Sequence, residues 1–255
     1  MSEIFCNGCQ KLVTPNKRGR CPACGGVSAP RPRSSALPSF TVRPAARPKV
    51  MPVVEIGITI DRTGSTSAFA EGVKKSLSLI LDPLKDKARG VTVWLQTHGD
   101  RETGQDEVLL TDCGTPDQAV ADAATIVFEG GGDPAEHHLD GVETLHRRIP
   151  WNPNAAEARG ALIVIVTADS KPAESGRSAG EIGRVIKNSG VALYVIGQPT
   201  VVMLELVEAA DGFFFEISNN PQVVEMRRIA DMVAASIAAS FSRATATRPA
   251  PAPTV

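Results

Sequence analysis

Strand-sized apolar runs alternate with amphipathic stretches over residues 52–243, and this alternation constrains the fold more than any other feature of the 255-residue chain. The apolar runs that predict strands are 53–60, 91–97, 107–111, 162–167, 193–196 and 213–217. The stretches with helical periodicity are 67–81, 116–128, 134–148, 178–188, 201–210 and 221–241. Continuous apolar strands flanked by helices predict a doubly wound α/β fold, in which a mostly parallel, six-stranded sheet is covered on both faces.

One connection in this pattern differs from the others. Only the polar residues 99–106 separate the second predicted strand from the third, and they are too few for the crossover helix that joins parallel strands. These two strands are therefore predicted to form a hairpin, which places one antiparallel strand at an edge of the sheet.

Oxygen-bearing side chains follow two of the predicted strands and precede one helix. They are Asp61, Thr63 and Ser65 after the first strand, Asp133 after a run of three glycines, and Asp169 after the fourth strand. Because ligands of open α/β sheets bind beyond the carboxyl ends of the strands, we expect these side chains to converge. Carboxylate and hydroxyl oxygens suit Mg²⁺ or another hard divalent cation better than zinc. The alternative is that Ser65 only caps the helix that follows.

The turn Asp61-Arg62-Thr63-Gly64-Ser65, the glycine-rich loop and Asp169 resemble the metal-ion-dependent adhesion site (MIDAS) of von Willebrand factor A (VWA) domains. More narrowly, the segment Gly130-Gly131-Gly132-Asp133-Pro134-Ala135-Glu136 is similar to an intracellular bacterial branch with a Gly-Gly-Gly-Asp-x-x-Glu loop. The resemblance covers residues 52–243. It implies that a divalent metal, through which a protein partner is recognised, is bound by Asp61, Thr63, Ser65, Asp133 and Asp169.

Two positions depart from the family's usual pattern. Thr63 stands where serine is common, and its hydroxyl keeps a ligand oxygen. Asp133 stands where adhesion members usually have threonine, so that the site holds three aspartates and a formal charge of −3. We therefore expect tighter metal binding and a weaker attraction of a partner's carboxylate. His137 and His138 are interpreted as surface or peripheral residues of the nearby helix, and Asp100 as peripheral to the site.

Two other functions fit parts of the sequence. The turn from Asp61 to Ser65 also resembles the phosphorylated motif of haloacid-dehalogenase-like phosphotransferases, in which Asp61 would be the nucleophile and Lys171 would balance the phosphate. The glycine-rich loop has no role in that scheme. Residues 1–50 carry a formal charge of +8, against −9 for the remainder, and this basic arm suits nucleic acid or an acidic protein. Aromatic residues for base stacking are scarce there, which favours a protein.

Four cysteines form two Cys-x-x-Cys pairs within residues 1–27, and eleven residues separate the pairs. Each pair places two thiolates in a tight turn, and two such turns complete a tetrahedron around Zn²⁺. The pattern therefore predicts a small zinc ribbon with a structural zinc ion. Its predicted ligands are Cys6, Cys9, Cys21 and Cys24.

The remaining segments and the overall composition predict a cytoplasmic adaptor without enzymatic activity. Residues 28–50, rich in proline and arginine, predict a linker, and residues 244–255 predict a disordered tail. No membrane helix or signal peptide is predicted, and paired cysteines suit a reducing compartment. The bias to alanine, arginine and proline is typical of a bacterial genome of high GC content. Bacterial relatives of this type act beside ATPases or in stress and conflict systems, which implies a partner protein of that kind.

Overall fold

The computed structural model describes residues 4–6, 11–14, 21–23, 51–132, 135–155, 157–218 and 221–243. The chain divides into two compact units, Met1–Lys49 and Val50–Val255. Within the described residues, every helix is too short or too polar to cross a membrane.

The described part of the smaller unit contains a β-hairpin. Strand β1, Ile4–Cys6, pairs in antiparallel fashion with β2, Lys11–Val13, and Cys6 lies opposite Lys11. Cys21 is buried, with 1% of its surface exposed. The predicted linker, the predicted tail and two predicted zinc ligands lie outside the described residues; these ligands are Cys9 and Cys24.

Each of the predicted strands and helices of the larger unit is present. The strands are β3 (Val53–Asp61), β4 (Gly90–His98), β5 (Val108–Gly114), β6 (Ala135–Glu136), β7 (Ala158–Val166), β8 (Asp169–Ser170), β9 (Ala192–Gly197) and β10 (Phe213–Glu216). The α-helices are α1 (Ala70–Lys85), α2 (Pro116–Ala124), α3 (His138–Arg148), α4 (Ala179–Asn188), α5 (Val201–Ala210) and α6 (Val223–Arg243). Short 3-10 helices, Gly64–Phe69 and Arg101–Thr103, follow β3 and β4.

The main sheet has six strands in the order β10-β9-β7-β3-β4-β5. All neighbouring strands are parallel except β5, which runs antiparallel to β4 at the edge. This confirms the predicted mostly parallel sheet with one antiparallel edge strand. β3 pairs with both β4 and β7, and Asp61 lies opposite His98 where β3 and β4 end. The carboxyl end of β3 is therefore at the centre of the sheet edge.

Helices cover both faces of the sheet, as the doubly wound fold requires. Along β7, Ile163 and Ile165 pack into a core with residues of α1, α2 and α6. The alternate residues Leu162 and Val164 pack into a second core with residues of α3, α4 and α5. Because successive side chains of a strand point to opposite faces, the continuous apolar sequence of β7 supplies both cores.

The third helix begins later than helical periodicity predicts. α3 starts at His138, four residues after the predicted start at position 134. The two residues Ala135–Glu136 instead form a short parallel pair with Asp169–Ser170, and Lys171 N donates to the Glu136 carbonyl at 2.8 Å. This pairing ties the segment after the glycine-rich loop to the segment after β7.

Candidate functional site

The turn after β3 packs directly on the glycine-rich loop. Arg62 N donates to the His98 carbonyl at 2.9 Å, and Glu129 N donates to the Arg62 carbonyl at 3.1 Å. Gly64 N donates to the Gly130 carbonyl at 3.0 Å, and a Cβ added at Gly64 would lie 2.9 Å from that oxygen. Glycine is required here because the two backbones approach too closely for a side chain.

Asp61 is the centre of a group of hydroxyls and is completely buried. Its Oδ1 accepts hydrogen bonds from Thr63 N and Thr63 Oγ1, both at 2.8 Å. Its Oδ2 accepts hydrogen bonds from Thr66 Oγ1 at 2.8 Å and from Thr167 Oγ1 at 3.2 Å. Four donors therefore hold both carboxylate oxygens in fixed positions.

The hydroxyls around this carboxylate also contact one another. Thr63 Oγ1 lies 2.9 Å from Ser65 Oγ, and Ser65 Oγ lies 3.1 Å from Thr167 Oγ1. Thr167 Oγ1 lies 2.8 Å from Thr66 Oγ1. Thr63 and Thr66 are buried, Thr167 is half-buried and Ser65 is exposed. These residues and Asp61, which we call the oxygen cluster, therefore open to solvent at Ser65.

The sequence predicts three of the five members of the oxygen cluster. Asp61, Thr63 and Ser65 lie together as expected, whereas Thr66 and Thr167 were missed. The signal for Thr167 is its position as the last residue of a predicted strand, at the edge where ligands were expected to converge. Ser65 is the second residue of a 3-10 helix, and its hydroxyl contacts two threonines. Its hydroxyl therefore belongs to the oxygen cluster, and Ser65 is not the cap of α1, which begins at Ala70.

Of the two other predicted aspartates, the structure describes only Asp169. The side chain of Asp169 is exposed, its Oδ1 accepts a hydrogen bond from Ser170 N at 2.9 Å, and it lies outside the oxygen cluster. Asp133 lies outside the described residues. A Cβ added at Gly131, in the same loop, would lie 3.3 Å from Thr63 Cβ. Among the described residues, no three His, Cys, Asp or Glu side chains gather into a metal-binding group. The cation ligands offered there are one carboxylate and its hydroxyl partners.

The oxygen cluster fits a hard divalent cation in donor type and in spacing. An octahedral Mg²⁺ ion with bonds of about 2.0–2.1 Å has neighbouring ligand oxygens about 2.9 Å apart. The oxygen–oxygen separations in the cluster are 2.8, 2.9, 3.1 and 3.2 Å. Hydroxyl oxygens also keep accepting capacity after donating one hydrogen bond. The residues present are therefore compatible with the cation that the MIDAS resemblance implies.

The environment of Asp61 favours its ionised form. Burial raises the pKa of this carboxyl, but the positive charges that His138 and His98 carry when they are protonated, together with the hydrogen bonds from Thr63, lower it, and its pKa lies below the usual value. Hydrogen bonds donated to a carboxylate stabilise the charged state. A cation at this position would therefore meet a negative charge at neutral pH.

Two histidines form a buried pair beside the oxygen cluster. His98 Nδ1 lies 2.8 Å from Thr59 Oγ1, and His98 Nε2 lies 2.9 Å from His138 Nδ1. Both rings are fully buried. Of the two interpretations of His138, burial excludes a surface position, and its place beside Asp61 agrees with a peripheral one. Because α3 begins only after β6, its first residue faces the end of β4, where it meets His98.

The histidine pair is held neutral by its surroundings. Burial, aided by the repulsion that two protonated rings would exert on each other, lowers the pKa of His98 to about 3. Burial also lowers the pKa of His138. The two histidines beside the Asp61 carboxylate are thus uncharged and shielded from solvent.

Ion pairs hold the loop between β4 and β5. Arg101 donates from Nη2 to both carboxylate oxygens of Glu107 at 2.7 Å. Asp100, with 1% of its surface exposed, accepts a hydrogen bond from Lys171 Nζ at 3.0 Å. The same Lys171 Nζ lies 3.0 Å from a carboxylate oxygen of Glu102. Lys171 is therefore engaged by two carboxylates of this loop.

Comparison with known proteins supports the fold of the larger unit. No family model and no curated protein matches the sequence. The structure is similar to the crystal structure of the VWA domain of SpRpn10, with a TM-score of 0.55 and 14% identity, over 72% of this chain and 95% of that one. It also matches proximal thread matrix protein 1 from the mussel byssus with a TM-score of 0.49 and 14% identity, over 72% of this chain and 46% of that one. The likeness to the SpRpn10 domain shows that the chain contains a domain with the VWA fold.

Proposed function

We propose that this chain is a non-enzymatic adaptor that binds a partner protein in a metal-dependent way at the oxygen cluster. The observation that carries the proposal is the buried Asp61 carboxylate, surrounded by hydroxyls that reach solvent at Ser65. Such an oxygen-only donor set, at the carboxyl edge of a VWA-type sheet, suits Mg²⁺. VWA domains usually mediate protein interactions, which favours a protein partner.

The proposed ligands are oxygen donors from three segments of the chain, with water or the partner completing the coordination. They are Asp61, Thr63, Ser65, Asp133 and Asp169, to which the structure adds Thr167 as a candidate. Three aspartates around one divalent ion leave a formal charge of −1. We therefore expect firm metal binding and only a weak pull of the ion on a carboxylate of the partner.

The geometry does not favour the phosphotransferase alternative. A nucleophilic aspartate needs an accessible oxygen that faces the phosphorus atom. Both oxygens of Asp61 are instead buried, and each accepts two hydrogen bonds. Lys171, which would balance the phosphate in that scheme, is bound to Asp100 and Glu102. The site thus lacks both the accessible nucleophile and the unpaired lysine that the phosphotransferase hypothesis requires.

For the smaller unit we propose one structural zinc ion and a role in docking protein rather than nucleic acid. Support comes from the hairpin that ends at Cys6 and from the two Cys-x-x-Cys pairs. The proposed zinc ligands are Cys6, Cys9, Cys21 and Cys24. Zinc analysis of the purified protein is expected to find about one ion per chain. A folded smaller unit without zinc would contradict this.

The proposed setting is the cytoplasm of a bacterium. The partner there would be an ATPase or another component of a stress-response or defence system. This proposal is based on the resemblance of the glycine-rich loop to the intracellular bacterial branch and on the composition of the chain. Identifying the partner would test it.

Calorimetric titration with Mg²⁺ tests the metal site directly. We expect the wild-type protein to bind one ion at the oxygen cluster and Asp61→Asn to lose at least about tenfold in affinity, since a neutral amide replaces the central charge. The matched control is Asp86→Asn, because Asp86 is exposed at the end of α1. Equal affinities in the three proteins would refute the proposed metal site.

Affinity capture tests the adaptor role and its metal dependence. The same proteins are used as bait, each with Mg²⁺ and with chelator. A partner retained by wild type and by Asp86→Asn with Mg²⁺, but lost with chelator or in Asp61→Asn, supports the proposal. Incubation with acetyl phosphate provides the opposing outcome. Covalent phosphorylation of Asp61 would contradict the adaptor hypothesis and support phosphotransfer.

A further inference from the structure

A cavity of 520 Å³ lies next to the oxygen cluster, lined by residues of the turn after β3, the loop after β4 and the segment after α2. Its volume is within the range of about 300–1,000 Å³ that is typical of binding pockets. Gln105 joins two of these segments, because its Nε2 donates to the Glu129 carbonyl and its Oε1 accepts from Asp100 N. The cavity is therefore bounded by segments that are bonded to one another.

Arg62 is one of the residues that line this cavity. Its backbone is fixed by hydrogen bonds on both sides, to His98 and from Glu129. Its Nε is buried and makes no hydrogen bond with the part of the chain that the structure describes. Leaving a buried donor on a charged group unpaired is unfavourable. Because Nε itself has no surface open to a ligand, an anion in the cavity would compensate the charge of the guanidinium through its terminal nitrogens.

The lining indicates which kind of anion fits. Arg62 is the one basic residue among the lining residues, and Glu129, which is exposed, is the one acidic residue. A singly charged carboxylate matches a single guanidinium in charge and in planar, two-bond geometry, whereas a doubly charged phosphate would be only half neutralised. Val108 and Val127 line the same cavity with 40% and 63% of their surfaces exposed. They offer an apolar surface beside the charge.

We propose that the Arg62 cavity binds an aspartate or glutamate side chain that follows an aliphatic residue in an exposed segment of a partner protein. Arg62 pairs with the carboxylate, and Val108 and Val127 contact the aliphatic side chain. The proposal depends on the proposed function for the identity of that partner. It also explains how a site whose metal attracts carboxylates only weakly can still select an acidic segment, because the attraction comes from Arg62.

The test follows the Arg62 Nε–H resonance in nitrogen–proton correlation spectra of the full chain, identified by its loss in Arg62→Gln. The probe is acetyl-Val-Glu-amide, and the matched control peptide is acetyl-Val-Gln-amide. Both are titrated in EDTA, so that failure of the metal site leaves this measurement unaffected. We expect the Glu peptide to shift the Nε–H resonance in a saturable way and to bind at least about tenfold more tightly than the Gln peptide.

Variants locate the site. Arg62→Gln is expected to abolish saturable binding of the Glu peptide, followed through the Gly130 amide. Arg89→Gln, which removes an exposed arginine at the start of β4, should leave binding unchanged. Equal binding of the two peptides, or binding that survives Arg62→Gln, would overturn the proposal. So would a response to inorganic phosphate without a response to the Glu peptide. A Nε–H resonance that moves in Glu129→Gln without any peptide would identify Glu129 as the partner instead.

Discussion

The ends of β3 and β4 lie side by side, with Asp61 opposite His98, yet their surroundings differ in kind. Both side chains are completely buried. Asp61 accepts four hydrogen bonds within a cluster that reaches solvent at Ser65. His98 contacts only Thr59 and His138 through its ring nitrogens, in a region without solvent access. The end of β3 thus stabilises a charged side chain, whereas the surroundings of the end of β4 keep its side chain neutral.

This difference shows how the fold tolerates a buried charge at the edge of the sheet. A buried carboxylate is tolerated because hydrogen bonds from the turn after β3 stabilise its charge. Both ring nitrogens of His98 have a partner, His138 or Thr59, and burial keeps the imidazoles neutral. Changes to the histidine pair should therefore affect stability, whereas changes at the open side of the oxygen cluster should affect binding.

The largest effect is expected from adding a methyl group to the histidine side. In Gly141→Ala the new Cβ would lie 2.7 Å from His98 Cγ and 2.9 Å from its Nδ1. We expect a loss of about 3 kcal/mol in the free energy of unfolding, the upper end of overpacking costs, although alanine is normally favoured inside helices. Urea unfolding measures it. The control is Gly90→Ala, whose Cβ would have no neighbour within 4 Å. Equal stability of the two variants would show that the pair has room to move.

Acid is expected to destabilise the histidine side by about 2 kcal/mol. The pKa of His98 is about 3 in the folded chain, against an ordinary value of 6.5. The unfolded chain therefore binds this proton first, and stability that is full above pH 6.5 is lost as the pH falls from 6.5 towards 3. Between pH 7.5 and pH 5 this amounts to about 2 kcal/mol. In His98→Gln the pH dependence of the urea midpoint should flatten by that amount, and an unchanged slope would contradict a neutral, buried His98.

The contrast between the two strand ends also separates what the sequence can predict from what it cannot. The sheet type and the antiparallel edge follow from hydrophobic periodicity and from the length of one loop, which are local properties. The Asp61, Thr63 and Ser65 spacing is local as well, since alternate residues of one turn reach the same side. Thr167 is 106 positions from Asp61, and His138 is 40 positions from His98. Those contacts depend on strand order and on where α3 begins.

The burial of single atoms could not be predicted from the sequence either. Arg62 stands inside the recognised turn, but a sequence does not show that its Nε is enclosed without a partner. The same holds for Lys171, whose place after the fourth strand suggested a phosphate-binding role. Its two carboxylate partners come from the loop after β4. Whether a charged side chain is free or paired is decided by packing between segments that are distant in sequence.

The smallest effect on stability is expected at the open side of the oxygen cluster, in Ser65→Ala. Ser65 is exposed, so losing its hydroxyl should change the free energy of unfolding by no more than about 0.5 kcal/mol. Because the same hydroxyl lies 2.9 Å from Thr63 Oγ1 and 3.1 Å from Thr167 Oγ1, its loss should weaken Mg²⁺ binding about tenfold. Ser67→Ala, at another exposed serine of the same 3-10 helix, should change neither quantity. If Ser65→Ala lowered stability and left Mg²⁺ binding intact, the hydroxyl would be a structural element of the turn, and the two strand ends would differ less than their contacts indicate.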